Sequence, residues 1–169
     1  IVYADDVGLG DLSAYNPNAA YTTPRLDRLA AEGIRFTSFY AATFCGPSRA
    51  QLMTGCHAAR VGHARNPGPG SNWGLHPNEV TVAEVLRGAG YATMAIGKWH
   101  VGHRPEFLPT RQGFDHYFGT DVPNFPPYCF IENDRTVGLP SVPDAGREEL
   151  FNRPGPMLPG WKLVNILPE

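Results

Sequence analysis

The segment TVAEVLRGAGYATMAIGKWHVG, residues 81–102, constrains the fold more than any other part of this chain. Thr81 is followed three residues later by Glu84, the pairing of a capping box that begins a helix. The apolar run Tyr91–Ile96 comes directly after that helix and predicts a strand. A helix that leads straight into an apolar strand is a building block of α/β proteins.

The preceding part of the chain repeats this alternation. In TTPRLDRLAAEG, Thr23 is a candidate N-cap, Pro24 suits the first helical position, and Gly33 suits a left-handed stop. Short apolar or alternating runs predict strands over residues 1–4 and 34–40. The elements therefore predict an α/β fold with a mostly parallel sheet sandwiched by helices.

A third helix is predicted from Pro47 to Gly55, within TFCGPSRAQLMTG. Residues 56–79 are rich in Gly, Pro, His and Asn and are predicted to be loop. Residues from about 104 to 169 have many prolines and aromatics with little periodicity, so we expect that region to be loop-rich.

Composition narrows the function classes. The chain has 169 residues, enough for one domain, and a net charge of −2 without a basic run, so nucleic-acid binding is not expected. It has no apolar stretch of about 18 residues, so no membrane span is expected. Three cysteines are too few and too scattered for a disulfide framework. The first residues, IVYADD, resemble the end of a strand, and the last residues, NILPE, contain no capping signal. We therefore expect the chain to be a fragment truncated at both ends.

Asp5 and Asp6 follow the first predicted strand. Adjacent carboxylates repel each other and are hard to bury without a cation, and oxygen ligands suit Ca²⁺ or Mg²⁺. The alternative is a turn in which aspartates accept backbone N–H bonds. Because ligands bind beyond the carboxyl ends of the strands in open α/β sheets, Asp5 and Asp6 could converge with polar groups that follow a later strand.

Lys98 and His100 are those later groups, on either side of Trp99. On an extended strand end they would point the same way, which suits an anionic ester. The alternative is a surface lysine and a hydrogen-bonded histidine. Cys45 allows two interpretations as well: a small buried hydrophobe, or a nucleophile at a helix N-terminus with Pro47 as the first helical residue.

Several segments together resemble the type I sulfatases, the formylglycine-dependent, arylsulfatase-like enzymes of the alkaline phosphatase superfamily. These segments occur in the family's order over most of residues 1–120: ADDVGLGDL, TTPRLDRLAAEGIRFTSFY, CGPSRAQLMTG, TVAEVLRGAGYATMAIGKWHVG and QGFDHYFG. In such enzymes C-x-P-S-R is the signal read by the formylglycine-generating enzyme. The resemblance implies that residues 1–169 are the N-terminal part of a sulfatase catalytic domain with an alkaline-phosphatase-like fold.

The resemblance also implies roles for individual residues. Cys45, converted to formylglycine, would be both nucleophile and metal ligand, beside the metal ligands Asp5 and Asp6. Arg49 would hold the formylglycine hydroxyl, and Lys98 would bridge that hydroxyl and the substrate sulfate. His100 would bond the second hydroxyl and act as base for sulfate release. One hydroxyl of the hydrated aldehyde attacks sulfur and expels the alcohol, and the other then restores the aldehyde.

The implied activity is hydrolysis of an organic sulfate monoester to alcohol and sulfate, with a divalent metal, Ca²⁺ in preference to Mg²⁺. The family's remaining ligands come from a later segment. Asn133–Asp134 has the opposite order to the family's Asp-Asn pair and is not assigned to the metal, so we expect the fragment alone to be inactive. A phosphate or phosphonate monoester hydrolase of the same superfamily and a non-catalytic binder of sulfated glycans stay open. The compartment is also open, with the periplasm or the cell exterior favoured because many relatives are exported.

Overall fold

A computed structural model describes residues 1–68, 71–121 and 130–137 of the chain. The chain divides into two compact units, Ile1–Ala41 and Ala42–Glu169. Among the described residues, no helix is both long enough and apolar enough to cross a membrane.

The first unit contains a 3₁₀ helix, Leu9–Asp11, and helix α1, Pro24–Glu32. Thr23 and Pro24 take the predicted N-cap and first helical positions, but Gly33 has a φ of −117° and is extended, so the predicted left-handed stop is wrong. The predicted strands over residues 1–4 and 34–40 are also absent, because no described segment pairs with either run. An apolar pattern alone does not make a strand when its ladder has no partner.

The described residues of the second unit form two α-helices, four strands and two short 3₁₀ helices. They are helix α2, Cys45–Thr54; helix α3, Val82–Gly88; strand β1, Met94–Lys98; the 3₁₀ helices Pro105–Phe107 and Pro109–Arg111; and strands β2, His116–Thr120, β3, Phe130–Glu132, and β4, Arg135–Val137. The capping box is present at α3: Thr81 accepts a hydrogen bond from the Glu84 amide, and the Glu84 carboxylate accepts one from the Thr81 amide.

The strands form one sheet in the order β1-β2-β3-β4. Strand β1 pairs with β2 in parallel, whereas β2–β3 and β3–β4 are antiparallel, so the described sheet is mixed. Three of the four strands in the described residues lie beyond residue 103, in the region that was expected to be loop-rich. That expectation missed β2 because HYFGT is short and its glycine interrupts the apolar alternation on which strand prediction depends.

Helix α2 begins at Cys45, two residues before the predicted start at Pro47, and ends at Gly55 with a left-handed φ of 66°. The N-cap residue, Phe44, has no side-chain oxygen to cap the helix. The Ser48 hydroxyl lies within hydrogen-bond distance of the Ala42 and Phe44 carbonyls instead, and so fixes the chain as it enters the helix. Cys45 is therefore the first residue of the first turn.

The core of the second unit lies where α2 and the sheet meet. It contains Ala50 from α2, Tyr117 from β2, and Trp99 and Val101 from the segment after β1. The Trp99 indole donates a hydrogen bond to the Phe107 carbonyl at 2.8 Å, so its only polar atom is satisfied in the interior. The end of β1 is thus held on both sides of His100 by buried neighbours.

Candidate active site

The segment after β1 turns sharply as it leaves the sheet. The Trp99 and His100 amides donate to the Thr120 and Asp121 carbonyls, each at 2.9 Å, which continues the pairing beyond the strand. His100 has a φ of 58°, a left-handed conformation that costs energy for a residue with a Cβ. The expectation that Lys98 and His100 point the same way on extended backbone is therefore wrong: the strand ends at Lys98, and His100 is aimed by this turn.

The turn brings the His100 ring to Cys45. The Cys45 sulfur lies 3.1 Å from His100 Nδ1, although the two residues are 55 positions apart in the chain. His100 is buried, and Cys45 is half-buried at the start of α2. The N-terminus of an α-helix carries partial positive charge, so a group at Cys45 stands where an anion is stabilised.

Arg49 joins this cluster from the next turn of α2, four residues beyond Cys45 and on the same face. Its guanidinium donates a hydrogen bond to the Lys98 backbone carbonyl, which ties α2 to the last residue of β1. Arg49 and Lys98 are both half-buried. The structure thus brings together four predicted site residues: Cys45, Arg49, Lys98 and His100.

The surroundings keep His100 neutral. Burial first, and then the positive charge of Lys98, lower the pKa of His100 to about 4, and Arg49 adds to the effect. At neutral pH the imidazole is therefore uncharged, and Nδ1 can accept a proton from a hydroxyl or thiol at the Cys45 position. A neutral base that feels two nearby positive charges suits a reaction in which the substrate brings negative charge.

Sequence reasoning missed Asn66. Its side-chain oxygen lies 3.6 Å from the Cys45 sulfur and accepts a hydrogen bond from the Gly46 amide at 2.8 Å. Asn66 belongs to the loop-predicted stretch after α2, and no local pattern distinguishes it from the other polar residues there. Another residue of that stretch, His63, is completely buried although it lies in a loop.

Asp5 and Asp6 lie in the first unit, and both are exposed. Asp6 has a φ of 56°, a conformation that aspartate tolerates better than most residues. Within residues 1–68, 71–121 and 130–137, no group of three or more His, Cys, Asp or Glu side chains could hold a metal ion. The two carboxylates are the donor type that a hard divalent cation takes, and their role as ligands stays a prediction.

The remaining residues considered in the sequence are Asn133 and the cysteines. Asn133 forms the turn between β3 and β4, where its side chain accepts a hydrogen bond from the Tyr117 amide at 3.0 Å, consistent with its exclusion from the metal site. Cys45 and Cys56 are free thiols, and Arg60 donates to the Cys56 sulfur at 3.2 Å. Cys129 lies outside the described residues.

Comparison with known families gives one match: the family model described as Sulfatase matches residues 1–144. Two curated relatives illustrate the similarity. N-acetylgalactosamine-6-sulfatase of Sus scrofa is 46% identical over 137 residues, which cover 76% of this chain and 26% of the relative. Arylsulfatase A of Homo sapiens is 42% identical over 176 residues, covering 95% of this chain and 34% of the relative. The chain therefore spans about a quarter to a third of the length of these relatives.

Solved structures agree with this similarity. A structure from work on the metabolism of multiple glycosaminoglycans by Bacteroides thetaiotaomicron superposes with a TM-score of 0.73 at 35% identity, covering 85% of this chain and 33% of that one. The PsFucS1 sulfatase from Pseudoalteromonas sp. gives a TM-score of 0.63 at 37% identity, covering 69% of this chain and 24% of that one. These matches confirm the expected alkaline-phosphatase-like α/β fold, of which this chain forms part.

Proposed function

The chain belongs to the sulfatase family, and from this premise we propose that it is the part of a sulfuric ester hydrolase that carries the nucleophile. The reaction is hydrolysis of an organic sulfate monoester to an alcohol and sulfate. One observation supports this proposal above the others: within CGPSR, Cys45 is the first residue of a helix and its sulfur lies 3.1 Å from a buried imidazole nitrogen.

Cys45 is proposed to act as formylglycine, which when hydrated supplies two hydroxyl groups on one carbon. His100 stands where it can accept a proton from one of them, because its Nδ1 faces the Cys45 sulfur and its low pKa keeps it neutral. Arg49 and Lys98 add two half-buried positive charges whose fields both act on His100. Positive charge held in place before the substrate arrives stabilises a sulfate group more effectively than mobile ions do.

The metal is proposed to be a divalent cation, Ca²⁺ in preference to Mg²⁺, with Asp5, Asp6 and the modified Cys45 among its ligands. Carboxylate oxygens suit both ions, and Ca²⁺ takes six to eight of them. That number exceeds what these side chains supply, so we expect further ligands from outside the described residues. We therefore expect the 169-residue polypeptide alone to show no turnover, and measurable sulfatase activity from it would contradict this expectation.

The first experiment tests the modification. The complete protein that carries this sequence is expressed with the formylglycine-generating enzyme, which is proposed to read CGPSR, and the tryptic peptide from Phe36 to Arg49 is weighed. We expect a peptide lighter by the change from thiol to aldehyde. An unmodified thiol, in cells that modify a control sulfatase, would contradict the proposal.

The second experiment identifies the ester. An aryl sulfate and a sugar 6-sulfate are the first substrates to test, because the relatives are named arylsulfatase and N-acetylgalactosamine-6-sulfatase. Matched phosphate and phosphonate monoesters are assayed beside them, with Cys45→Ala as the background. A higher kcat/KM for the phosphonate or phosphate would favour the alternative hydrolase. Binding of sulfated glycans without cleavage of any ester would favour the non-catalytic binder.

A further inference from the structure

Asn66 lies outside the CGPSR motif in the sequence but contacts its first two residues in the structure. Its Oδ1 atom accepts a hydrogen bond from the Gly46 amide at 2.8 Å and lies 3.6 Å from the Cys45 sulfur. The acceptor comes from outside the motif, because Asn66 is 20 residues beyond Gly46 in the chain. The side chain therefore contributes to the site through tertiary structure.

Helix α2 needs such an acceptor. The first amides of a helix have no partner within it, and the N-cap residue, Phe44, has no side-chain acceptor to offer them. The first bond within the helix comes only at Ser48, whose N–H donates to the Phe44 carbonyl at 3.1 Å, and Pro47 has no N–H. Asn66 satisfies the Gly46 amide, which directly follows the nucleophile, and so fixes the turn on which Cys45 stands.

Gly46 leaves the space that Asn66 occupies. A Cβ atom at position 46 would lie 2.7 Å from Asn66 Oδ1 and 3.1 Å from the His100 carbonyl oxygen. The first distance is shorter than real Cβ contacts, so a larger residue at position 46 would require the Asn66 side chain to shift. Gly46 thus leaves room for the Asn66 oxygen beside the turn that carries Cys45.

The same loop also contacts the base. Pro67 is buried, and its carbonyl lies close enough to the His100 ring to raise the pKa of that ring, against the larger lowering by burial. Asn66 and Pro67 are consecutive, so one short segment touches both the nucleophile-bearing turn and the imidazole. A displacement of this segment would disturb both groups together.

We infer that Asn66 is a positioning residue for the nucleophile: its Oδ1 holds the first turn of α2 and accepts a hydrogen bond from one hydroxyl of the group formed from Cys45. This inference rests on the proposed function, since it takes Cys45 to become formylglycine. The Cys45 sulfur has His100 Nδ1 on one side and Asn66 Oδ1 on another. The two hydroxyls on one carbon would then have different acceptors. One hydroxyl would face His100, the base, and the other would face Asn66.

The test compares three variants of the complete protein, each prepared with the same formylglycine content as judged by peptide mass. Asn66→Ala removes the acceptor, whereas Asn66→Asp keeps an acceptor oxygen in the same place. Asn133→Ala is the matched control, because Asn133 also accepts a backbone amide, that of Tyr117, in the β3–β4 turn. All three alter a side chain that supports the backbone, but only the first two alter the neighbour of Cys45.

Amide hydrogen exchange at Gly46 provides the readout that does not depend on activity. Asn66→Ala should speed exchange of this amide by at least about tenfold, because the amide loses its acceptor. Asn66→Asp and Asn133→Ala should leave it protected. Unchanged exchange in Asn66→Ala would overturn the inference whether or not the protein hydrolyses sulfate esters.

Steady-state kinetics provide the second readout. Asn66→Ala should lower kcat by about 10- to 100-fold with KM nearly unchanged, the cost of a misplaced reacting group. Asn66→Asp should recover most of kcat but raise KM, because its carboxylate repels the substrate sulfate. Asn133→Ala should keep the wild-type kcat. Faster exchange at Gly46 without a loss of kcat in Asn66→Ala would reduce Asn66 to a helix cap and overturn the positioning role.

Gly46→Ala supplies an independent test of the same contact. It should reproduce the loss of kcat while Asn66 is intact, and adding Asn66→Ala should cost little more, since both changes break one interaction. Fully additive losses would contradict the inference. If the wild-type protein cleaves only phosphonate or phosphate esters, the proposed function fails, and the same variants are compared with that substrate.

Discussion

The start of helix α2 and the Asp5–Asp6 loop are both recognisable as motifs, yet the structure treats them differently. At α2, the cysteine, arginine and histidine of the motifs converge through specific contacts, beside buried residues such as Trp99 and Val101. At Asp5–Asp6, the carboxylates are exposed, and the preceding apolar residues are not part of a strand. Helix α1 in the same unit has no buried residue.

The difference shows what turns a motif into a site. CGPSR acquires a defined geometry because a second segment, residues 98–101, is fixed to the end of β2 by backbone bonds and to α2 by Arg49 and the core. Residues 1–41 have a local network instead, in which Ser13 and Thr23 bond to Asp27. A local network can shape a loop without burying the residues beside it.

The largest expected effect breaks the site at its centre. Cys45→Ala in the complete protein should lower kcat by at least about 1,000-fold, because the proposed nucleophile is removed while the other proposed site residues remain. The measurement is steady-state hydrolysis of the preferred sulfate ester. Cys56→Ala is the matched control, since Cys56 is also a free thiol but lies outside the cluster. Comparable loss in both variants would mean that thiol removal acts through folding.

The next prediction concerns the exposed motif. If Asp6 is a metal ligand as proposed, Asp6→Asn should raise the Ca²⁺ concentration needed for half-maximal activity by at least about tenfold, because a charged oxygen becomes neutral. Asp11→Asn is the control: Asp11 belongs to the same unit, and its carboxylate accepts the Gly8 amide at 2.8 Å. Activity is measured in chelator-treated protein across a Ca²⁺ series. Equal responses of the two variants would remove Asp6 from the metal site.

Acid should weaken the second unit through its buried histidines. Burial lowers the pKa of His63 to about 4, below its usual 6.5, so between these values the unfolded chain binds a proton that the folded chain refuses. Stability is therefore expected to fall as pH decreases from about 6.5 to 4. His63→Phe, which keeps an aromatic ring against Trp73, should reduce that slope by roughly half, since His100 contributes in the same sense.

The measurement is the unfolding midpoint in denaturant at several pH values for the wild-type protein and His63→Phe. Comparison above pH 7, where His63 is neutral in both the folded and the unfolded chain, gives the stability difference that does not depend on protonation. An unchanged slope in His63→Phe would contradict the buried, neutral state of His63. The opposite sign, with stability gained on acidification, would mean that the ring is charged in the folded protein.

The smallest effect compares two helix caps. Thr81→Ala should lower the local opening free energy of α3 by about 1 kcal/mol, because the buried hydroxyl accepts from Glu84 and donates to the Gln112 carbonyl. Thr23→Ala should cost α1 less, since the Thr23 hydroxyl caps no backbone amide of the helix and bonds instead to the Ser13 and Asp27 side chains. Amide hydrogen exchange of the two helices measures both values. An equal or larger loss in α1 would contradict the contrast between the two units.

Sequence reasoning predicted those parts of the structure that depend on neighbours in the chain. The capping box at Thr81, the Pro24 start of α1 and the Gly55 end of α2 are local features, and the structure confirms them. The two absent strands illustrate the limit, because a strand exists only if another segment pairs with it. The family motifs predicted the cluster of Cys45, Arg49, Lys98 and His100 for a further reason: they carry tertiary information that local patterns lack.

Asn66 and the turn at His100 could not be predicted in this way. An asparagine in a loop of glycines and prolines gives no sign that it meets a helix 20 residues earlier. The φ of His100 is set by backbone bonds to Asp121 and by the packing of Val101, both long-range features. Strained backbone at a reacting residue is paid for by surrounding structure, which a local pattern does not encode.

The pairing of β1 with β2 leaves no room for a side chain at Gly119, which matters for inherited substitutions at this position. Gly97 stands opposite Gly119, and a Cβ at position 119 would collide with the Gly97 carbonyl, while Gly97 itself has a φ of 103°. Lys98 directly follows Gly97, so any shift of the backbone at the Gly97–Gly119 pair moves this lysine of the proposed site. Glycine to alanine is commonly regarded as a mild change. At position 119 we expect it to behave as a loss-of-function allele, which makes this pair of glycines a place where benign-looking genetic variants should be read with care.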